Sequence, residues 1–305
     1  MRNARLIATL LAILTFSDIT AQMVIGGSTP AATAVLDLQS TAKGFLPPRL
    51  TSLQRNAIAS PAQGLTIFNT NLKIVETYNG TRWVNAATGI ATGCGAKTSA
   101  TDWKDFLCHN LGADQGADPF TPSYRLNGHY YQWGYAPPCF GINDAAQPCP
   151  SPYFGAHGPW GSGSSAGNEQ GYTGSWNTTT APNGSWADAG KTTKDPCPPG
   201  YRVPTKTEWE AVVANNAIST VGAWNTVPNL TNYNAGVQLG TLLYLPGTGY
   251  REESIGILDE RGDAGYYWSS TESAADAWGL KIDSGTPAMA AYPRTRALPV
   301  RCIRE

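Results

Sequence analysis

The sequence predicts an α+β fold: a loop-rich main domain preceded by a small β-rich N-terminal module. Three observations carry that reading. Only one segment, residues 205–217, has both helical periodicity and a complete set of start signals. Several short strand-like runs follow it. The composition, with 33 glycines, 22 prolines, 14 tyrosines and 10 tryptophans in 305 residues, suits short strands joined by many turns. At this length one main domain plus a smaller module is the natural count.

Residues 1–21 read as a signal peptide. Arg2 and Arg5 precede an apolar run from Leu6 to Phe16 that is too short to span a bilayer. Cleavage after Ala21 leaves Gln22 at the mature terminus, with no cysteine nearby to accept lipid, and no later run is long and apolar enough for a membrane span. The expected location is therefore extracellular or at the cell surface.

Residues 22–90 form the β-rich module, whose runs include "AVLDLQS", "GLTIFNT" and "KIVETYNGTRWVNA". The last reads as a hairpin in which Asn79-Gly80 makes a two-residue turn between Tyr78 and Trp83. So small a segment is marginal alone, which predicts cover from a neighbouring domain or from other copies. The Ala/Thr/Gly-rich stretch 85–100 places the boundary, and the main domain is taken as 91–305. It opens with a short expected helix in "TDWKDFLCHNLGAD", after which residues 112–196 show many aromatics and little periodicity and read as long loops.

The central helix starts at "CPPGYRVPTKTEWEAV". Pro198, Pro199 and Gly200 forbid regular structure, and Pro204 sets the approach angle. Thr205 is the N-cap, and Glu208 completes a capping box. Trp209, Val212, Val213 and Ala217 then form one apolar stripe. Downstream, "GTLLYLPGTGY", "GYYWSSTES", "AWGLKIDSG" and "PVRCIRE" read as strands, with Trp278, Leu280 and Ile282 on one face.

Charge excludes one class of partner. With 21 basic and 22 acidic residues the net charge is −1, which offers no basic stripe for nucleic acid. Six cysteines in an exported chain point to disulfides, and 15 pairings are open to six cysteines. Their spacings fit no zinc pattern, and His109, His129 and His157 form no metal pair.

Five segments in order resemble one family. "DWKDFLCHNLGADQGADPFTPSYRLNGHYYQWG", "DPCPPGYRVPTKTEWEAV", "LLYLPGTGYRE", "RGDAGYYWSST" and "VRCIRE" are similar to the Fibrobacter succinogenes major paralogous domain family (FISUMP) over about Cys94 to Glu305. The resemblance implies a C-type-lectin-like fold in an exported bacterial protein, and a disulfide between Cys197 and Cys302 by position. A bond enclosing that loop contributes about 4–5 kcal/mol in the chain-entropy model. Proximity in sequence alone suggests Cys139 with Cys149 and Cys94 with Cys108. The N-terminal "TPAATAVLDLQSTAKGFLPPRLTSLQRNAIASPAQGLTIFNT" resembles a module of exported Bacteroidetes surface proteins, some of them fibre-like.

Catalytic readings are poorly supported. "GSSAG" around Ser165 lacks the strand and helix of a nucleophile elbow, and the single C-terminal cysteine does not supply the redox pair of a formylglycine-generating enzyme. The expected function is an exported binding or adhesion protein, not an enzyme, whose ligand is a glycan or a protein. A carbohydrate-active enzyme and a structural subunit of a surface fibre are the alternatives. A homo-oligomer or fibre would form through the N-terminal module. Trp160, Trp176, Trp186 and Tyr153 are the candidate ligand-binding rings, because Gly, Ser, Asn and Thr surround the tryptophans. No cofactor is expected, although Asp259, Glu260 and Asp263 in "DERGDAG" are a candidate calcium turn.

Overall fold

The computed structural model describes residues 22–135, the backbone of 153–155, and residues 177–225, 231–254 and 256–305. By internal contacts the chain divides into two compact units, Met1–Pro47 and Pro48–Glu305.

In the first unit, β1 (Met23–Ile25) and β2 (Leu36–Leu38) pair in parallel, Met23 opposite Leu36 and Ile25 opposite Leu38. The chain turns out of β1 at Gly26, whose φ of +89° suits glycine, and a Cβ there would meet the Gln39 carbonyl oxygen at 2.1 Å.

The second unit begins with a four-stranded sheet made of β3 (Arg49–Leu50), β4 (Thr66–Asn69), β5 (Ile74–Tyr78) and β6 (Trp83–Asn85). The short helix α1 (Ser52–Asn56) follows β3 and is closed by a capping box between Thr51 and Gln54. The β5–β6 turn centres one residue later than expected. Gly80 takes φ +101°, while the Asn79 carboxamide accepts from the amides of Thr81 and Arg82 and the Asn79 amide donates to Arg82 O. Asn79 serves the turn through its side chain, as an Asx cap, and not through a left-handed backbone.

Next come β7 (Gly95–Lys97) and β8 (Trp103–Asp105), an antiparallel hairpin. It replaces the helix expected over 101–114. The Cys94–Cys108 disulfide and the bond from Phe106 N to Cys94 O hold this stretch extended, and such non-local ties outweigh weak helix propensity. A single 3₁₀ turn, Tyr124–Leu126, leads into β9 (His129–Gln132), and β10 (Tyr153–Gly155) pairs with β9. Thus "HYYQ", read as loop, is a strand inside a sheet.

The remaining elements are β11 (Tyr201–Arg202), α2 (Lys206–Asn215), β12 (Ile218–Val221), β13 (Gly236–Leu239), β14 (Leu243–Pro246), β15 (Tyr250–Arg251), β16 (Leu258–Asp259), β17 (Gly265–Ser273), β18 (Asp276–Ile282), β19 (Ala288–Pro293), β20 (Ala297–Pro299) and β21 (Ile303–Arg304). Among the described residues the α-helices number two, of 5 and 10 residues, against seven small sheets of two to five strands. The expected α+β class is therefore wrong: the fold is β-rich. Helical periodicity with caps occurs once at length, and among the described residues aromatic and β-branched runs such as 74–78, 243–246 and 265–273 settle into strands.

The sheet β17-β18-β19 organises the core because it is buried on both faces. Tyr266, Trp268, Ala277 and Tyr292 face one apolar cluster, shared with Trp133 and Trp186. Tyr267, Leu280 and Ile282 face the other, where Trp209 and Val212 of α2 pack. Leu280 and Ile282 are buried as their spacing predicts, whereas Trp278 lies half-buried at the margin. The register of β17 against β18 shifts between Trp268 and Glu272. A bulge of this kind frees backbone groups that must be satisfied elsewhere. Buried indoles do so: Trp133 Nε1 donates to Ser269 O at 2.9 Å and Trp209 Nε1 to Trp268 O at 3.2 Å. Ser270 N donates to Pro204 O, and Lys206 N to Thr271 Oγ1, so the start of α2 is hooked to the bulge.

That hook explains the proline-rich approach to α2. Asp195 accepts from the amides of Cys197 and Val203, fixing the turn between them. Cys197 is bonded to Cys302, 105 residues away, and both are fully buried. Thr205 and Glu208 make the expected capping box, and Glu208 also receives both Arg202 nitrogens at 2.6 and 2.8 Å. Burial raises the Glu208 pKa, but the Arg202 hydrogen bonds and the Thr205 amide outweigh it and hold the carboxyl below its ordinary range.

A buried ionic cluster joins residues on either side of position 90. Arg55 Nη1 reaches both Glu76 oxygens at 2.7 and 2.9 Å, with the two side chains fully buried. Asn69 donates to Glu76, and Ser52 Oγ donates to Asp105 Oδ2 at 2.6 Å. Asp105 is held above the usual carboxylate range, chiefly by burial, against the pull of Ser52 and Arg55.

Candidate interaction surfaces

The first surface is the strand pair of the N-terminal unit. In β1 and β2 successive side chains alternate faces, so Met23, Ile25, Leu36 and Leu38 share one side. All four are exposed, by 60, 56, 52 and 45%. Val35, Phe45 and Leu46 of the same unit are exposed as well. The other face is held by polar contacts: Asp37 accepts from the Ala31 amide at 2.9 Å and from the Gln39 carboxamide at 2.8 Å. Those two hydrogen bonds, Gln39 first, keep the Asp37 carboxyl below its ordinary range. The unit thus organises one face with polar bonds and leaves its apolar face open. Parallel strands occur almost only where both faces are covered, so this face calls for a partner surface.

The second surface lies in the other unit, between α2 and β19. It is a groove of about 370 Å³ whose walls are Val213 and Ala214 of the helix, Trp278 and Leu280 of β18, and Pro287, Ala288 and Met289. Lys206 and Glu210 stand at its rim and pair at 3.2 Å, and the Lys206 ammonium lies 4.1 Å from the Trp278 ring centroid. A further cavity of about 290 Å³ is lined by Leu72, Ile74, Ile90, Phe106, Tyr201 and Arg304 among others.

Residues 24–102 match the model of a phage tail like trimerisation region. Residues 232–303 match a domain of unknown function (DUF8237). Each match spans well under half of the chain, and no curated protein and no solved structure matches it.

The ligand candidates read from sequence fare unevenly. Trp186 is fully buried, its ring 5.5 Å from that of Trp133 and its indole N–H donated to Lys194 O at 2.7 Å. No face of that ring is open to a ligand, because it packs in the apolar cluster that holds Trp133 and Ala181. Trp160 and Trp176 lie outside the described residues, as does the side chain of Tyr153, whose backbone pairs with Tyr131. Cys139 and Cys149 are outside them too. The Cys94–Cys108 and Cys197–Cys302 bonds are present, with Cα–Cα distances of 5.0 and 5.8 Å. Other aromatics of the expected loops, Tyr130, Tyr131 and Trp133, are core residues. Arg294 lies 4.3 Å from the Trp133 ring centroid and donates to the carbonyls of Ala181, Ala274 and Asp276.

The candidate calcium turn is built otherwise. Asp259 accepts from the Glu260 amide, and the Tyr266 hydroxyl donates to the Glu260 carboxylate. Among the described residues no three His, Cys, Asp or Glu side chains gather as a metal site. His109 is buried, its Nε2–H given to Ala117 O, and burial pushes its pKa down to about 4. No helix among the described residues is long and apolar enough to cross a membrane.

Sequence reasoning assigned self-association to the N-terminal module without finding the face, and it missed the groove. The alternation in "VLDL" gives a strand face but not what covers it, and the groove joins residues 206–214 with 278–289.

Proposed function

We propose that this chain is a self-associating structural subunit that trimerises through residues 22–47 and carries the Pro48–Glu305 unit as its displayed part. The observation that carries the reading is the row Met23, Ile25, Leu36 and Leu38, exposed on a parallel strand pair. The match of residues 24–102 to a phage tail like trimerisation region supports a second and third copy as its cover. Each of these half-exposed side chains contributes about 1 kcal/mol once buried, and summed over three copies that is on the order of the cost of association.

The finer reading is an exported surface protein whose displayed unit belongs to the FISUMP family and binds a glycan or a protein, with adhesion and not catalysis as its work. The signal-like residues 1–21 and the five matching segments support it.

Sedimentation equilibrium of the chain from Gln22 tests the assembly. Three times the chain mass is expected, and a monomer with unchanged circular dichroism is expected for Ile25→Asp with Leu36→Asp. A monomeric parent at about 100 μM, or a trimeric double variant, would overturn the proposal.

A further inference from the structure

We infer that a chloride-sized monovalent anion sits against the Arg301 guanidinium inside the Pro48–Glu305 unit, as an internal counter-ion that lets this cation stay in the core. Arg301 is 1% exposed, and its chain has no room to swing outward. Val300 O and Cys302 O accept from the amides of Leu111 and Leu107, and Cys302 is bonded to Cys197, so the backbone on both sides is pinned. Among the described residues the side chain makes one hydrogen bond, from Nε to Asn110 Oδ1 at 3.0 Å. Nη1 is buried without an acceptor, and none of the described carboxylates lies within ion-pair distance. Arg55 and Arg294, comparably buried, face Glu76 at 2.7 Å and Glu272 at 3.7 Å.

No described group offsets the charge. The hydroxyls that act on it are those of Tyr267 and Tyr244, and burial pushes the pKa of both upward, so neither is an anion at neutral pH. Burial lowers the Arg301 pKa only to about 10, which leaves the guanidinium charged. A buried cation without a counter-charge is costly, and a water on Nη1 would satisfy the hydrogen bond but not the charge. An anion satisfies both. Its size follows from the enclosure, since a side chain so deeply buried admits a small ion and not the carboxylate of a longer molecule. The donors left to hold it are Arg301 Nη1 and the Tyr244 hydroxyl, whose one contact, to Ala235 O, is long at 3.4 Å. Asn110 Nδ2 and the Tyr267 hydroxyl are already committed, to Asn127 O and Pro246 O. All these residues belong to the Pro48–Glu305 unit, apart from the strands proposed to trimerise.

The probe is sodium chloride, exchanged for sodium gluconate at constant ionic strength while the thermal midpoint of the chain from Gln22 is followed by tryptophan fluorescence. Raising chloride from about 1 to about 100 mM should raise the midpoint by about 3 °C or more, as a ligand of the folded state does. Sodium bromide should act as chloride does, and crystals grown in it should show an anomalous peak at hydrogen-bond distance from Arg301 Nη1. Arg301→Met should lose the chloride dependence. Tyr244→Phe gives up only a weak hydrogen bond, so it should fold as the parent does and need about threefold more chloride, or above, for the same rise. Where Arg301→Met does not fold, the bromide crystals and Tyr244→Phe decide. A midpoint indifferent to chloride, a dependence that Arg301→Met keeps or that Tyr244→Phe leaves unchanged, or bromide crystals with a water and no anomalous peak at Nη1 would overturn the proposal.

Discussion

Removing the Cys197–Cys302 bond should cost more stability than removing Cys94–Cys108, by an amount the loop lengths set. The bonds close 105 and 14 residues of chain. In the chain-entropy model these correspond to about 4.8 and about 3.0 kcal/mol at 25 °C, a difference of about 1.8 kcal/mol. The comparison is favourable because all four cysteines are buried, so the cavities left by Cys→Ala pairs nearly cancel. Guanidinium unfolding of the parent, Cys197→Ala with Cys302→Ala, and Cys94→Ala with Cys108→Ala supplies the measurement. Fluorescence reports the loss of the core directly, since Trp133, Trp186, Trp209 and Trp268 are buried. Equal midpoints for the two double variants, or a lower one for Cys94→Ala with Cys108→Ala, would refute loop closure as the source of the stabilisation.

Two further outcomes follow from the same core. Glu208→Gln keeps the cap on Thr205 but loses the charge facing Arg202, and should destabilise by about 1–2 kcal/mol at neutral pH. Because the folded Glu208 pKa lies below its unfolded value, its contribution is complete above the unfolded value of about 4.3. It is lost as pH falls through the folded value. The gap between parent and variant in urea midpoints should therefore close below about pH 4, and a gap independent of pH would show that the ion pair is not its source. Trp186→Ala should cost about 3–5 kcal/mol, the range for a buried tryptophan, read as a lowered thermal midpoint. A variant as stable as the parent would place the ring outside the core.

Local signals were legible and non-local ones were not. The capping box of Thr205 and Glu208 was readable because all its parts lie within four residues, and Leu280 and Ile282 were readable because strand period alone sets their face. The Cys197–Cys302 bond came through resemblance, since spacing says nothing about pairing. Trp186 misled because its neighbours are polar, while its burial depends on Trp133, more than fifty positions earlier. The segment around Trp103 misled in the same way, its helical spacing overridden by a disulfide and a hairpin. Of the two surfaces, the strands β1 and β2 were visible only in part: "AVLDLQS" was marked as strand, with no sign of which face stays bare. The groove left no mark at all.

The cluster of Ser52, Arg55, Asn69, Glu76 and Asp105 decides where this chain can be dissected. A fragment beginning at residue 91 keeps Asp105 and loses the hydroxyl and guanidinium that face it, while the complementary fragment keeps Arg55 and Glu76 with one wall of their enclosure gone. Both pieces would expose groups that burial had committed to each other. A cut at residue 47 leaves the cluster whole. Protease sensitivity and domain shuffling should accordingly respect the junction near Pro48, and the Ala/Thr/Gly-rich stretch around residue 90 behaves as an internal seam, not a hinge between separable parts.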